Sequence, residues 1–350
     1  MTYAIGLSAA GHNAIITDLR VTFHDGKKVA GKNTSLKSGI LFPTCIFARV
    51  GNVEHSRIFI RQARNALSYP TDSNAIWKEF EDFATAYSYP IDPRLQFKLL
   101  LSTQRQRQKQ AEFFVLDSST RSIQPTKSII TLGSGKSILD QLVLKNYRAV
   151  IDALMEKSKD RPFHNEMYPY LFCMWLTQLT KSFERVKLEE AGVGGVFHFI
   201  FHGPQGEYTQ KPAFYVLFDL DKQNNQVFWW QYRVCYVEDM LVVDEMIPPR
   251  QDNKWLRGAQ NRTVIVDRDS VQNETTGLHI AGQDDWEETV NSAIEDQPLY
   301  YFCGLAFTNP AHRDKGFVFH MTNTDKYIIS DEGIEHDGFN KKIAEILSDT

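Results

Sequence analysis

Along the first fifty residues the apolar positions come in short, dense runs rather than at helical intervals. Tyr3 to Leu7 is one run and "AIITDLRV" is another, with the polar, glycine-bearing "SAAGHN" between them. Short runs of β-formers separated by turn residues predict strands, and these two predict a hairpin. "SGILFP" and "CIFARVG" continue the pattern. From Glu54 to Leu67 the period changes, because Ile58, Ala63, Ala66 and Leu67 fall at helical spacing. "SNAIWKEFEDFATAYSY" predicts a second helix, with Ser73 as its N-cap and Pro90 beyond its end.

Strands return with "LQFKLLLST", "AEFFVLD", "SIQP" and "SIITLGSG". A helix is predicted from Ser137 to Lys157, its stripe running through Leu139, Leu142, Val150 and Leu154, and another from Tyr168 to Glu190. "GGVFHFIFHG" is one more buried strand. Strands, two helices, strands, two helices, strand: such segregated blocks suit stacked sheets with helices outside, an α+β fold, rather than an alternating parallel sheet. From about Gly206 the texture differs. "AFYVLFDLD", "QVFWWQYRV", "TVIVD", "LYYFCGLAF" and "GFVFHM" predict strands among polar loops, and only "GFNKKIAEILSD" reads as helical. The expected division is a unit at 1–205 followed by a β-rich extension at 206–350.

Composition narrows the function classes without choosing one. The 350 residues are 42% hydrophobic and 12% aromatic, enough for a sizeable core, and the net charge of −4 carries no basic surplus that would point to nucleic acid. Four cysteines (Cys45, Cys173, Cys235, Cys303) form no metal-ligand spacing, so buried free thiols are expected. No apolar run reaches the roughly 20 residues of a membrane helix, and no basic-then-apolar leader opens the chain. A cytosolic protein with no membrane partner is the expectation.

Several patterns offer chemistry. "TLGSGKSILD" resembles a phosphate loop, but Ile130 stands where GxxxxGK[ST] needs its first glycine, so a strand-to-helix turn explains it better than nucleotide binding through Gly135, Lys136 and Ser137. His198 and His202, four apart on a strand, would lie roughly 13 Å from one another, too far to share a metal; packed histidines are the simpler reading. "DDWEE" reads as a solvated acidic loop. Thr2 is more suggestive. Removing Met1 would leave a threonine whose α-amine sits beside its own hydroxyl, and an N-terminal amine can act as the base such a nucleophile needs.

Four stretches of the first two hundred residues, "GHNAIITDLRVT", "ARVGNVEHSRIFIRQARNAL", "SIQPTKSIITLGSG" and "EEAGVGGVFHFIF", taken in that order resemble proteasome β-type subunits. "GHNAIITDLRVT" is similar to the family's second strand, with its D-x-R-x-T pattern at Asp18, Arg20 and Thr22, and Asp18 lies sixteen residues after Thr2 as in the family. In "ARVGNVEHSRIFIRQARNAL", Gly51 takes the place of the glycine that ends a strand before a helix. "SIQPTKSIITLGSG" resembles the hairpin leading to a Gly-Ser-Gly turn, with Ser134 at the serine. "EEAGVGGVFHFIF" is similar to the end of the fourth helix, with Glu190 at an acidic position. The opening "MTY" is most like the bacterial Anbu subgroup.

This resemblance implies an N-terminal nucleophile hydrolase sandwich, four layers in αββα order, carrying an added C-terminal β-rich domain. It implies threonine peptidase or amidase chemistry without a cofactor: Thr2 attacks, its amine is the base, the Gly51 N–H holds the oxyanion, and Asp18, Ser134 and Glu190 orient the amine. It implies a peptide or protein substrate, a homo-oligomer, and an unfoldase or regulatory partner. Two positions depart from the family. The alignment sets Ser35 where the family has a lysine; Lys37, two residues on, on the same face but roughly 6.6 Å along the strand, is the candidate for that part, and Lys32 fits only with a shift of register. Val193 stands at the family's second serine. A catalytically silent scaffold or binding subunit is the alternative these departures leave open.

Overall fold

The structure is a computed structural model. It describes residues 3–9, 12–24, 29–34, 36–68, 72–103, 112–126, 129–137 and 139–140. Beyond these it describes 143–144, 148, 151–152, 168–170, 172–177, 193, 196–203, 206–209, 213–221, 226–237, 240–247, 260–267, 272–273, 300–307, 317–321, 328–330 and 333–335.

The opening runs form β1 (Tyr3–Ala9) and β2 (His12–Asp18), a hairpin in which Ala4 pairs with Thr17 and Ala9 with His12. The second run does not continue as one strand. Leu19 breaks it, and β3 (Arg20–His24) turns away to pair with β4 (Val29–Thr34). Next come β5 (Ser38–Phe42) and β6 (Cys45–Gly51), then α1 (Val53–Ala66) and α2 (Ser73–Ala86). Asn52 caps α1 by accepting from the His55 N–H at 2.9 Å. The cap of α2 is Asp72, which accepts from the Asn74 N–H at 2.9 Å, and not Ser73, the first helical residue. A carboxylate or amide oxygen at this position satisfies an amide that the helix itself leaves unpaired.

The chain then runs through β7 (Phe97–Thr103), β8 (Glu112–Asp117), β9 (Ser122–Pro125), β10 (Ile129–Gly133), β11 (Phe197–Gly203) and β12 (Gly206–Thr209). Two five-stranded antiparallel sheets result, one in the order β10-β1-β2-β11-β12 and the other β5-β6-β7-β8-β9. Ala4, Ile15 and Ile200 of the first meet Ile46, Ala48, Leu100 and Phe113 of the second. Gly6 lies in this seam, where a Cβ would come within 2.9 Å of Ile130 and 3.0 Å of Phe113, so the close approach of the sheets requires glycine there. The Asn13 amide donates across the seam to Ser102 at 3.1 Å, satisfying a polar group that burial would otherwise penalise.

The outer face of the second sheet is covered by α1 and α2. The Phe59 ring centres a buried aromatic cluster, with Phe80, Tyr87, Tyr89 and Phe97 at centroid distances of 4.8 to 6.3 Å. On the first sheet Tyr3, Ile5, Leu7 and Ile16 pack with Leu139, Val143 and Ile151 and with helical residues between Tyr168 and Leu176. Gly135 opens the turn into the first of these helical segments; a Cβ there would sit 2.5 Å from Val193, so packing excludes any larger residue. Among the described residues no helix is long and apolar enough to cross a membrane.

The later strands are β13 (Ala213–Asp221), β14 (Gln226–Val237), β15 (Met240–Ile247), β16 (Gln260–Asp267), β17 (Gln272–Asn273), β18 (Tyr300–Phe307), β19 (Phe317–Met321), β20 (Ile328–Ser330) and β21 (Gly333–Glu335). Six of them form a sheet ordered β16-β15-β14-β13-β18-β19. Register puts Tyr215, Val234 and Leu241 on one face of it, since Tyr215 opposes Tyr232 and Val234 opposes Val243. All three are fully buried in the same apolar cluster as Tyr3 and Leu139. Strand β12 belongs to the first sheet, and β17 pairs with the end of β4, Gln272 opposite Thr34 and Asn273 opposite Asn33. The chain is thus α+β in character, with two antiparallel sheets in its first part. The expected helix at "GFNKKIAEILSD" lies outside the described residues.

Candidate active site

The strand ends that carry the sequence candidates converge. β1 starts at Tyr3, β2 ends at Asp18, β10 ends at Gly133 opposite Tyr3, and β11 starts at Phe197 opposite Asp18. In the facing sheet β5 starts just after Lys37, and the Arg49 N–H donates to the Lys37 carbonyl at 2.7 Å. One end of the paired sheets therefore gathers these groups.

Asp18 is the centre. Its Oδ1 accepts from the Tyr3 backbone N–H at 2.8 Å and from the Lys37 ammonium at 2.9 Å. Asp18 is fully buried and Lys37 only 1% exposed. Removing both charges from water is expensive, and a buried pair of this kind often stabilises no better than apolar residues would. Fold stability alone is thus a weak reason for placing one here. Lys37, not Ser35, is the residue that reaches Asp18. Leu36 and Lys37 lie outside regular strand, so strand spacing does not fix how far Lys37 reaches. Arg49 steadies that irregular segment, its guanidinium donating to the Leu36 carbonyl at 2.6 Å.

Gly51 ends β6 with φ +95, a conformation that favours glycine, and a Cβ there would lie 2.7 Å from the Gln96 carbonyl oxygen. It stands two residues past Arg49, roughly 6.6 Å farther along β6. Ser134 follows Gly133, the register partner of Tyr3, and is exposed in the turn before Gly135. Thr2 and Glu190 lie outside the described residues.

Tyr3 is fixed at its other end too. Its hydroxyl donates to Asp140 Oδ1 at 3.0 Å, while Thr131 donates to Asp140 Oδ2 at 2.8 Å and Lys136 lies 3.6 Å from the same oxygen. Burial, with the Asp140 charge adding to it, drives the Tyr3 phenol far above its usual range, so it remains a donor. Lys136 thus stands beside the Asp140 carboxylate at the start of the helical segment that follows β10.

His198 was legible only as a packed histidine. It is fully buried, with Nε2 2.8 Å from the Thr17 hydroxyl, on the strand register directly opposite that residue. Burial first, and the nearby Lys37 charge second, pull it down to about 3, so the ring is neutral near pH 7. Nothing in "HFIFH" signals this, because the partner Thr17 lies 181 residues away in sequence.

The chain matches no protein-family model and no curated protein sequence.

Proposed function

We propose that this protein is an N-terminal nucleophile hydrolase, its two sheets and flanking helices forming the αββα sandwich of that class. More particularly, it is a threonine peptidase or amidase related to proteasome β-type subunits, with Thr2 as nucleophile once Met1 is removed.

The observation that carries the reading is the convergence of the Tyr3 amide and the Lys37 ammonium on one buried oxygen of Asp18. It anchors the chain one residue after the proposed nucleophile, beside a cation. In the reaction the Thr2 Oγ attacks the substrate carbonyl while its proton passes to the α-amine. A free α-amine has a pKa of about 7.7–8.0, so roughly a tenth to a sixth is neutral at pH 7. A neighbouring cation favours the neutral, basic form, which is the part assigned to Lys37. The Gly51 N–H donates to the oxyanion, where losing one such donor typically costs roughly 10²–10³ in rate. The amine then returns the proton to the leaving nitrogen, and water hydrolyses the Thr2 ester. Ser134, at the turn beyond Gly133, orients the amine, and Glu190 supports it. Assembly into a homo-oligomer belongs to the same reading.

The test is hydrolysis of fluorogenic peptides together with labelling by a β-lactone directed at N-terminal threonine. Wild-type protein turns over and is labelled, and Thr2→Ala does neither. Equal turnover by both proteins overturns the assignment of Thr2. Retention of Met1 on the purified chain overturns catalysis and leaves a binding subunit.

A further inference from the structure

The reading of Thr2 leaves a buried imidazole unused. His198 projects from β11 beside the end of β2, its Nε2 2.8 Å from Thr17 Oγ1, and Thr17 is the residue immediately before Asp18. Its face is the seam between the sheets, since Thr17 opposes Ala4 and Ala4 packs in that seam. Charged and titratable groups on the strands beside β11 and facing it are His12 and Asp18 on β2, Glu207 and Tyr208 on β12 (Tyr208 opposite Phe201), Cys45 and Arg49 on β6, and Lys37 ahead of β5. His12 stacks on Phe201 and Glu207 opposes His202, so both belong to the far end of β11. Cys45 is likewise at the far end of β6, opposite Thr103. Asp18, Lys37 and Arg49 remain at the near end.

We propose that His198 is a positioning residue of the Thr2 site, an uncharged ring that fixes the end of β2 through Thr17 so that Asp18 holds Lys37 and the Tyr3 amide together. This rests on Thr2 being the nucleophile. A neutral ring suits the place for an electrostatic reason. A second cation beside Lys37 would compete for Asp18, whereas a neutral donor or acceptor satisfies Thr17 and leaves the carboxylate to the lysine. The ring is fully buried and lies within reach of the Lys37 charge. Without it, water enters, screens the Lys37 charge and weakens the field that keeps the Thr2 amine neutral. The depressed His198 basicity accords with this role, because burial and Lys37 both hold the ring uncharged.

The experiment is the second-order rate of β-lactone labelling against pH for wild type, His198→Ala, His198→Gln and Thr17→Val, each also in a Lys37→Met background. His198→Ala slows labelling about tenfold and moves the acid limb up by about half a pH unit, the direction expected when an amine loses a cation's influence. His198→Gln, which keeps a hydrogen-bonding group, recovers most of the loss. Thr17→Val removes the bond with little change of shape and moves the limb the same way, which covers a His198→Ala protein that fails to fold. In the Lys37→Met background neither substitution moves the limb further. An unmoved limb in both His198→Ala and Thr17→Val, or a full shift in the absence of Lys37, overturns the role of His198 while leaving Thr2 standing. No labelling of wild type at any pH overturns both.

Discussion

Asp18 and Lys37 have each left water to meet, and the energetics of that choice are testable one side chain at a time. Lys37→Met leaves a buried carboxylate without its cation, a change that typically costs about 3–5 kcal/mol. Denaturant titration of the variant against wild type should find this loss. An unchanged midpoint would mean that Asp18 is served well enough by the Tyr3 amide. His198 makes a second claim at this scale. Its folded-state pKa, about 3, lies below the ordinary value of 6.5. The unfolded chain therefore binds the proton first. The stability that depends on the neutral ring is complete above pH 6.5 and is lost as pH falls towards 3, by at most about 1.4 kcal/mol per unit. Wild type should lose stability more steeply than His198→Gln between pH 6.5 and 4.5, and parallel curves would contradict the assignment.

At the scale of elements, the turn from β6 into α1 is the sharpest constraint. Gly51 has a positive φ, and a Cβ would collide with the Gln96 backbone, so Gly51→Ala strains the chain and pushes β6 from β7. A cost of about 1–3 kcal/mol is expected from such a forced conformation. Melting should detect it, together with a fall in turnover larger than the fraction unfolded explains. Elements were the most legible part of the sequence. The strand runs at the start, the helix from Glu54 and the "HFIFH" strand all stand close to where the apolar pattern put them, because the strands are short runs buried on both faces and the helix buries one stripe at a regular period. Two kinds of feature escaped. "MLVVDEMI" forms β15, yet its acidic residues interrupt the apolar run that marks a strand. Lys37 stood among the candidates, but its reach to Asp18 was not legible, because it sits in irregular chain ahead of β5, where no period exists to say which way a side chain turns.

The whole molecule shares one core across its sequence halves. Tyr215, Val234 and Leu241 come from the six-stranded sheet but are buried in the cluster that includes Tyr3, Ile5 and Leu139. Composition marked a change near Gly206, and it carries no information about which distant surfaces meet. Leu241→Ala, far in sequence from the proposed nucleophile, should cost about 2–5 kcal/mol, as truncations of buried leucine do. In thermal unfolding the loss should appear in the first-part sheets as well as in the six-stranded one; a transition confined to the latter would show that the two sheets do not share stability.

The central claim is that the amine and hydroxyl of one residue, Thr2, react as a unit beside Asp18. An epoxyketone tests this most directly, since it closes a ring only by bonding both groups of the same N-terminal threonine. Intact-mass and fragment spectra of the treated protein should show a chain lacking Met1 that carries one inhibitor on Thr2, and no adduct on Thr2→Ala. A chain that has lost Met1 and remains unmodified at every pH, or an adduct on another residue, would contradict the account.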